Sequence, residues 1–226
     1  MELQEQYLID LKKYCWENGL NPDENQLDRL AHFASLVAAK NEVVNLISRK
    51  DVKNIIENHV FLSAFTSQFL PDRINKFLDI GTGGGFPGIP LAIVNPLMRG
   101  VLVDSTGKKV DAVDEFVKKL KLTNVIAENG RVESDEFKNK YADHFDLVIS
   151  RGTVPLIILF RYSLPLIKNK AYLIAMKGGD LDSEFKVAEM KYKVYIKKST
   201  IFEMAYKPNN VRNEKGKKLI LLELIK

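Results

Sequence analysis

Cysteine is nearly absent: Cys15 stands alone in 226 residues, so neither a disulfide framework nor a cysteine-based zinc site can form. Histidine is scarce as well. His32, His59 and His144 are too far apart in sequence to give metal-ligand spacing, and no metal is expected. Long hydrophobic runs are missing; the longest covers about seven residues around Leu156, against the roughly 20 that a membrane span needs. The acidic opening Met1-Glu2-Leu3 does not read as a signal peptide. These absences predict a soluble, cytoplasmic chain in a reducing setting that does not meet a membrane. The length suits one globular domain with a small appendage, and we expect a monomer.

What is present is charge, unevenly placed. Lys and Arg number 34 against 29 Asp and Glu, a formal charge of +5. Residues 1–75 hold 8 basic and 11 acidic side chains, whereas residues 76–226 hold 26 and 18, and the stretch Lys186 to Lys218 alone has 10 against 3. A polyanionic partner fits this distribution; lysine decorating solvated faces fits it equally well.

The apolar pattern changes near Pro71. Before it, residues 1–72 read as a helical extension: Leu27, Leu30, Ala31, Ala34, Val37 and Ala38 recur at helical spacing after the start signal Asn21-Pro22-Asp23-Glu24, and a second stretch runs from Asp51 to Phe69. After it, residues 73–226 alternate short apolar runs (76–80, 100–103, 124–127, 145–149, 171–176) with helix-length segments (87–94, 108–120, 154–167, 181–190). Nearly all-apolar strands separated by helices predict a parallel sheet covered on both faces. Residues 192–202 and 217–225 read as two strands with no helix between them, an antiparallel edge typical of methyltransferase-type α/β folds rather than dinucleotide dehydrogenases.

The most informative stretch is Phe77-Leu78-Asp79-Ile80-Gly81-Thr82-Gly83-Gly84-Gly85-Phe86-Pro87-Gly88. An apolar strand runs into a glycine loop and then a helix, so the backbone can turn tightly and approach a ligand. Gly83, Gly85 and Gly88 satisfy the dinucleotide fingerprint, in which a pyrophosphate sits on the helix N-terminus. Two details favour S-adenosylmethionine. Asp79 is placed to work near a cationic, amino-bearing ligand but would repel a pyrophosphate, and the continuous Gly81-x-Gly83-x-Gly85 spacing is the methyltransferase form. Asp104, 23 positions after Gly81, ends the next strand where it can accept hydrogen bonds from a ribose diol; a nicotinamide dinucleotide would use it too. An NAD(P)-dependent oxidoreductase and a non-enzymatic RNA-binding module therefore stay open.

Within methyl transfer, the acceptor can be narrowed. Exocyclic amines are usually held by an Asn/Asp-Pro-Pro-aromatic loop after the fourth strand, and Ser150-Arg151-Gly152-Thr153 stands there instead. Carbon-5 of pyrimidines needs a cysteine nucleophile, and Cys15 sits far from the glycine loop. Acceptors already nucleophilic at neutral pH remain, such as guanine N7, which has no proton to lose and needs positioning rather than a general base.

Leu78 to Pro90, together with Asp104-Ser105-x-Gly107-Lys108-Lys109, Arg131-Val132-Glu133, Ser150-Arg151, Lys177-Gly178, Asn41 to Ser48 and His59, closely resembles the RsmG (GidB) family of bacterial 16S rRNA guanine-N7 methyltransferases. The resemblance covers about residues 25–180. It implies a Rossmann-like class I fold with a mainly parallel seven-stranded sheet, S-adenosylmethionine as methyl donor, and a guanine in the 530 loop of 16S rRNA, or of the small ribosomal subunit, as acceptor. It further implies that Gly81, Gly83, Gly85 and Phe86 meet the donor, with Asp104 at its ribose and Val132 and Glu133 at its adenine. Arg151 would close the site beside donor or guanine, its competing role being an ion pair with Glu133. Arg131, Lys108, Lys109 and Lys177 are the implied RNA contacts; Lys108 and Lys109 oppose the dipole at a helix start, as anion-binding groups can. Leu62-Ser63-Ala64 replaces the family's Asp-Ser-Leu, which predicts no polar role there. His59 is expected to pack rather than to react.

Overall fold

The computed structural model describes residues 2–207 and 217–226. The basic stretch Lys186 to Lys218 therefore falls partly outside the described residues.

Two helices open the chain, α1 (Glu2–Glu17) and α2 (Glu24–Lys40). The Asn21-Pro22-Asp23 signal works through a capping box: Asp23 accepts from Gln26 N at 2.8 Å, while the Gln26 side chain accepts from Asp23 N at 2.9 Å. The stretch read as one helix from Asp51 to Phe69 is instead broken. A 3₁₀ turn (Val52–Asn54) leads to a π-helical turn (Ile56–Phe61), then α3 (Leu62–Phe65) and a second 3₁₀ turn (Thr66–Phe69). Apolar spacing alone cannot report this, because a π turn shifts the register by one residue without removing the hydrophobic face; such turns recur at functional sites.

From residue 76 onward β1 (Lys76–Ile80), α4 (Gly88–Val94), β2 (Arg99–Asp104), α5 (Gly107–Lys119) and β3 (Val125–Asn129) alternate as the sequence predicts. A short helix, α6 (Asp135–Tyr141), then appears where none was expected; its apolar signal is only Phe137 and Tyr141, and Ser134 caps it by accepting from Phe137 N. β4 (Phe145–Arg151), α7 (Leu156–Ser163), β5 (Ile167–Lys177) and α8 (Leu181–Tyr192) follow, and β6 (Ile196–Glu203) and β7 (Lys218–Ile225) close the sheet. α7 stops four residues short of its predicted end because the strand already begins at Ile167.

The seven strands lie in the order β3-β2-β1-β4-β5-β7-β6. The first five pair in parallel, and β7 runs antiparallel to both β5 and β6. Alternate residues feed opposite faces. Phe77 and Leu147 join the core built with α1, α2, α4 and α5, whereas Leu78 and Val148 join the core under α6, α7 and α8. Residues 2–72 thus pack onto the same face of the sheet as α4 and α5: Leu11, Phe33 and Phe61 share one buried core with Phe77, Leu102 and Leu219.

The strand order also places the site. The chain leaves β1 toward β2 and β3 on one side, and β4 continues toward β5 on the other. Their carboxyl ends therefore diverge between β1 and β4, the topological switch point where ligands of open α/β sheets bind. Gly81 and Arg151 emerge there.

Candidate functional site at the switch point

The glycine loop is held from beneath and from the side. Gly81 N and Thr82 N both donate to Val103 O, at 2.9 and 3.0 Å. Asp79 is fully buried, and its Oδ2 accepts from Thr82 Oγ1 at 2.7 Å and from Gly88 N at 2.9 Å. The residue expected to face an amino-bearing ligand thus turns under the loop, where the first backbone N–H of α4 and the Thr82 hydroxyl are its donors. Its Oδ1 has no hydrogen-bond partner among the described residues. Burial pushes the Asp79 carboxyl up to about 7, against the pull of its two hydrogen bonds.

Two glycines are required for different reasons. Gly81 has φ +72, and a Cβ there would meet Thr153 Cγ2 at 2.4 Å. Gly83 has φ +57, but a Cβ would meet only Gly81 O, at 3.9 Å. Gly83 therefore faces open space that a ligand can enter, and its constraint comes from the backbone alone.

Asp104, at the tip of β2, reaches back to this loop. Its Oδ2 accepts from Gly83 N at 3.0 Å and its Oδ1 from Thr106 N at 2.9 Å. Each carboxylate oxygen carries a second lone pair, so the group fixes the loop and can still accept from a diol. A cavity of about 260 Å³ opens beside it, lined by Gly81, Asp104, Arg131, Val132 and Glu133 from the expected set and by Thr153, Val154 and Tyr162. One end is carboxylate and backbone; the other is apolar Val132 beside Glu133. A ribose and a flat base fit this donor set, so the residues suit an adenosine-bearing cofactor. Tyr162 had no sequence signal, being one aromatic among the apolar residues of α7.

Other expected residues lie around this cavity rather than in it. Phe86 and Gly85 stand behind the loop, where the Phe86 ring packs against Phe33 at 5.0 Å and His59 at 5.1 Å between centroids. Arg131, by contrast, lines the cavity's outer edge, where its largely exposed side chain pairs loosely with Glu133 at 3.5 Å. The ion pair considered between Arg151 and Glu133 therefore does not form. Lys108 and Lys109 occupy the first turn of α5 beside Asp104, with no side-chain partner among the described residues.

Lys177 is placed differently from the RNA contact expected of it. Its ammonium donates to Val154 O at 2.6 Å and pairs with Glu184 at 2.7 Å, leaving the side chain 14% exposed. Glu184 also accepts from Leu156 N at the start of α7. The pair pins the α7 end of the loop after β4, the loop that carries Thr153 and Val154 into the cavity. Glu184 read in sequence only as an acidic residue in the first turn of α8.

Arg151 turns away from the cavity toward the N-terminal layer. Its Nη2 donates to Asn58 O at 2.6 Å and its Nη1 to Ser63 Oγ at 3.4 Å. Ser63 thus has a polar role, contrary to what its neighbours Leu62 and Ala64 suggested. Burial lowers the guanidinium to about 10, partly offset by Asp51 and Asp79, so it is charged at neutral pH. His59, beside it, is pushed down to about 3 by burial and by the charges of Arg151 and Lys217, and is neutral. Cys15 is 2% exposed within α1, and burial raises its thiol to about 12; it cannot serve as a nucleophile.

Among the described residues no helix is long and apolar enough to cross a membrane, and no group of three or more His, Cys, Asp or Glu is placed to hold a metal ion.

Known proteins share both architecture and sequence with this chain. An O-methyltransferase from Bacillus cereus, solved in complex with SAH, matches with a TM-score of 0.60 at 15% identity over 99% of this chain and 100% of that one. A SAM-dependent methyltransferase from Aquifex aeolicus matches with a TM-score of 0.57 at 16% identity, over 84% and 98%. At such identities these neighbours show the fold alone, that of the SAM-dependent methyltransferases. In sequence, the chain is 42% identical over 192 residues to the ribosomal RNA small subunit methyltransferase G of Chlorobaculum tepidum, covering 82% of this chain and 84% of that protein. It is 33% identical over 191 residues to the protein of the same name from Clostridium kluyveri, covering 84% and 80%. The family model GidB, described as rRNA small subunit methyltransferase G, matches residues 26–211, and the chain belongs to that family.

Proposed function

We propose that this protein transfers the methyl group of S-adenosylmethionine to N7 of a guanine in the 530 loop of 16S rRNA. The observation that carries this reading is the cavity at the switch point, which joins Gly81, Asp104, Val132 and Glu133 beneath a loop whose Gly83 faces open space. S-adenosylmethionine supplies an electrophilic methyl on a sulfonium. Asp104 accepts from its ribose, Val132 and Glu133 hold its adenine, and Gly81 and Gly83 let the backbone approach its amino-acid end. Family membership removes the oxidoreductase alternative.

The chain's chemistry suits an acceptor with no proton to remove. His59 is neutral and packed, Asp79 lies beneath the loop, and Cys15 is buried and protonated. The protein's part is to orient the two reactants and exclude water. Arg131, Lys108 and Lys109 border the cavity and supply phosphate contacts on the RNA.

Two measurements test the reading. Calorimetric titration should show S-adenosylmethionine binding and no binding of nicotinamide dinucleotides. Borohydride–aniline cleavage of 16S rRNA from a strain lacking the gene should lose one N7-methylguanine stop that complementation restores. An unchanged cleavage pattern excludes the activity and leaves the RNA-binding module.

A further inference from the structure

On the side of Arg151 away from the cavity, a second, half-buried cation shares the partner residue Asn58. Arg151 donates to the main-chain oxygen of Asn58, and Lys217 Nζ donates to its side-chain Oδ1 at 3.0 Å. Asn58 thus bridges the two, while its Nδ2 reaches Asp51 Oδ1 at 3.5 Å. Among the described residues neither Arg151 nor Lys217 forms an ion pair with a carboxylate. Their acceptors are neutral oxygens: one carbonyl, one hydroxyl and one amide.

Two like charges, partly desolvated and with neutral oxygens as their direct acceptors, are costly together, a cost that Asp51 offsets for both, Asp79 for Arg151 and Glu57 for Lys217 from beyond hydrogen-bond contact. Burial, followed by the charge of Arg151, lowers Lys217 to about 8 against the opposing pull of Glu57 and Asp51. An oxyanion between the two groups would relieve both costs through charge-assisted hydrogen bonds.

The sheet order indicates which oxyanion. The cavity lies over the ends of β1, β2 and β3 and the loop after β4. Lys217 immediately precedes β7, which neighbours β5 on the opposite side. A donor seated in the cavity leaves the β4-β5-β7 side for the acceptor, and the oxyanion an RNA acceptor carries is its phosphodiester. Lys217 also lies beyond residues 26–211 matched by the family model. We infer that Arg151 and Lys217, bridged by Asn58, bind a backbone phosphate of the RNA strand at the target nucleotide. This rests on the proposed rRNA methylation.

The test uses the full-length protein, small ribosomal subunits from a strain lacking the gene, and S-adenosylmethionine as a separate probe. Filter binding to the subunits is measured over a range of salt for wild type, Lys217→Gln and Lys217→Arg, and donor affinity is measured by calorimetry. The Gln variant should lose about tenfold in subunit affinity and reduce the slope of log K against log salt by about 0.7 to 0.9, as for one lost phosphate contact. The Arg variant should restore both, which a merely structural defect would not allow, and donor affinity should stay within about twofold of wild type. Unchanged subunit affinity and slope in Lys217→Gln would overturn the site. Loss of donor affinity in place of subunit affinity would also overturn it, assigning the oxyanion to the donor's carboxylate. Failure of the wild-type protein to methylate these subunits is a separate result that counts against the proposed function, since the variant comparison reads binding and needs no turnover.

Discussion

The two sides of the switch point are built by different means. On the proposed donor side, consecutive residues from Asp79 to Gly88 form a loop whose contacts are mostly backbone, closed by one carboxylate from the next strand tip. On the proposed acceptor side, Asn58, His59, Ser63, Arg151, Tyr206 and Lys217 come from four separate parts of the chain. Tyr206 OH donates to Glu57 at 2.9 Å, and its ring packs 5.5 Å from Phe61. A local site depends on backbone conformation and should fail through glycine substitution. An assembled site depends on buried charge and should fail through loss of single side chains.

Gly81 offers the sharpest way to break the donor side. Gly81→Ala imposes a left-handed backbone on a residue with a Cβ and drives that Cβ into Thr153, so it should cost about 2 to 3 kcal/mol of stability and lower donor affinity at least about 100-fold. Gly83→Ala carries only the backbone penalty, about 1 kcal/mol. It should melt close to wild type yet still lose donor affinity, because the new methyl fills space that the ligand needs. Thermal melts and calorimetric titration separate the two; equal stability losses would show that Thr153 gives way freely.

Arg151→Ala is the corresponding break on the acceptor side. It removes a desolvated charge and leaves Asn58 O without its donor, so the layer over the sheet should loosen slightly while turnover falls about 100-fold, near 2.7 kcal/mol of transition-state stabilisation. Methylation of purified subunits measures the loss, and far-ultraviolet circular dichroism checks that the fold persists. Turnover within threefold of wild type would remove Arg151 from the site.

The contrast explains what could be read from the sequence. The parallel sheet, its antiparallel edge and the glycine loop follow from patterns within a few residues, so their order was legible. That Asp104 and Glu133 line the cavity was legible because each is a carboxylate ending or following a strand, where this fold puts its ligands, and Val132 was legible through the family resemblance alone. Lys217 was not, since it sits in a lysine-rich stretch and only the packing of β7 against β5 distinguishes it from its neighbours. The inward turn of Asp79 was equally hidden: the sequence places it at a strand end, but the side it faces depends on Gly88 N being within reach. The pairing of Lys177 was hidden for a related reason, its partner Glu184 lying on the next helix.

Buried titratable groups sharpen the comparison through pH. Asp79 has its carboxyl raised to about 7 from an ordinary 3.8, so between about pH 4 and 7 the folded chain keeps a proton that the unfolded chain releases. Stability contributed there falls as pH rises through that window. His59 is lowered to about 3 from 6.5, so the unfolded chain takes up a proton that the folded chain refuses, and stability falls as pH drops from 6.5 toward 3. Asp79→Asn should therefore gain on wild type by about 5 °C in Tm at pH 8 and lose that advantage near pH 4. His59→Phe, which keeps a ring against Phe86, should gain below pH 5 and not at pH 8. Parallel, pH-independent offsets would mean that neither group titrates in these windows.

The smallest expected effect concerns the rim of the donor side. Lys108 and Lys109 stand in the first turn of α5, where their charge opposes the helix dipole. Replacing either with Gln should leave the fold intact and stabilise it by a few tenths of a kcal/mol. If the rim meets RNA, subunit affinity should fall about threefold for each variant, with a shallower salt dependence, while donor affinity is unchanged because neither ammonium contacts the glycine loop. That pattern is weak binding loss, intact donor binding and a small stability gain. It would set an RNA-facing rim beside a backbone-built donor pocket. A stability gain with unaltered subunit binding would confine the RNA contacts to the proposed acceptor side, where the half-buried Arg151 and Lys217 are.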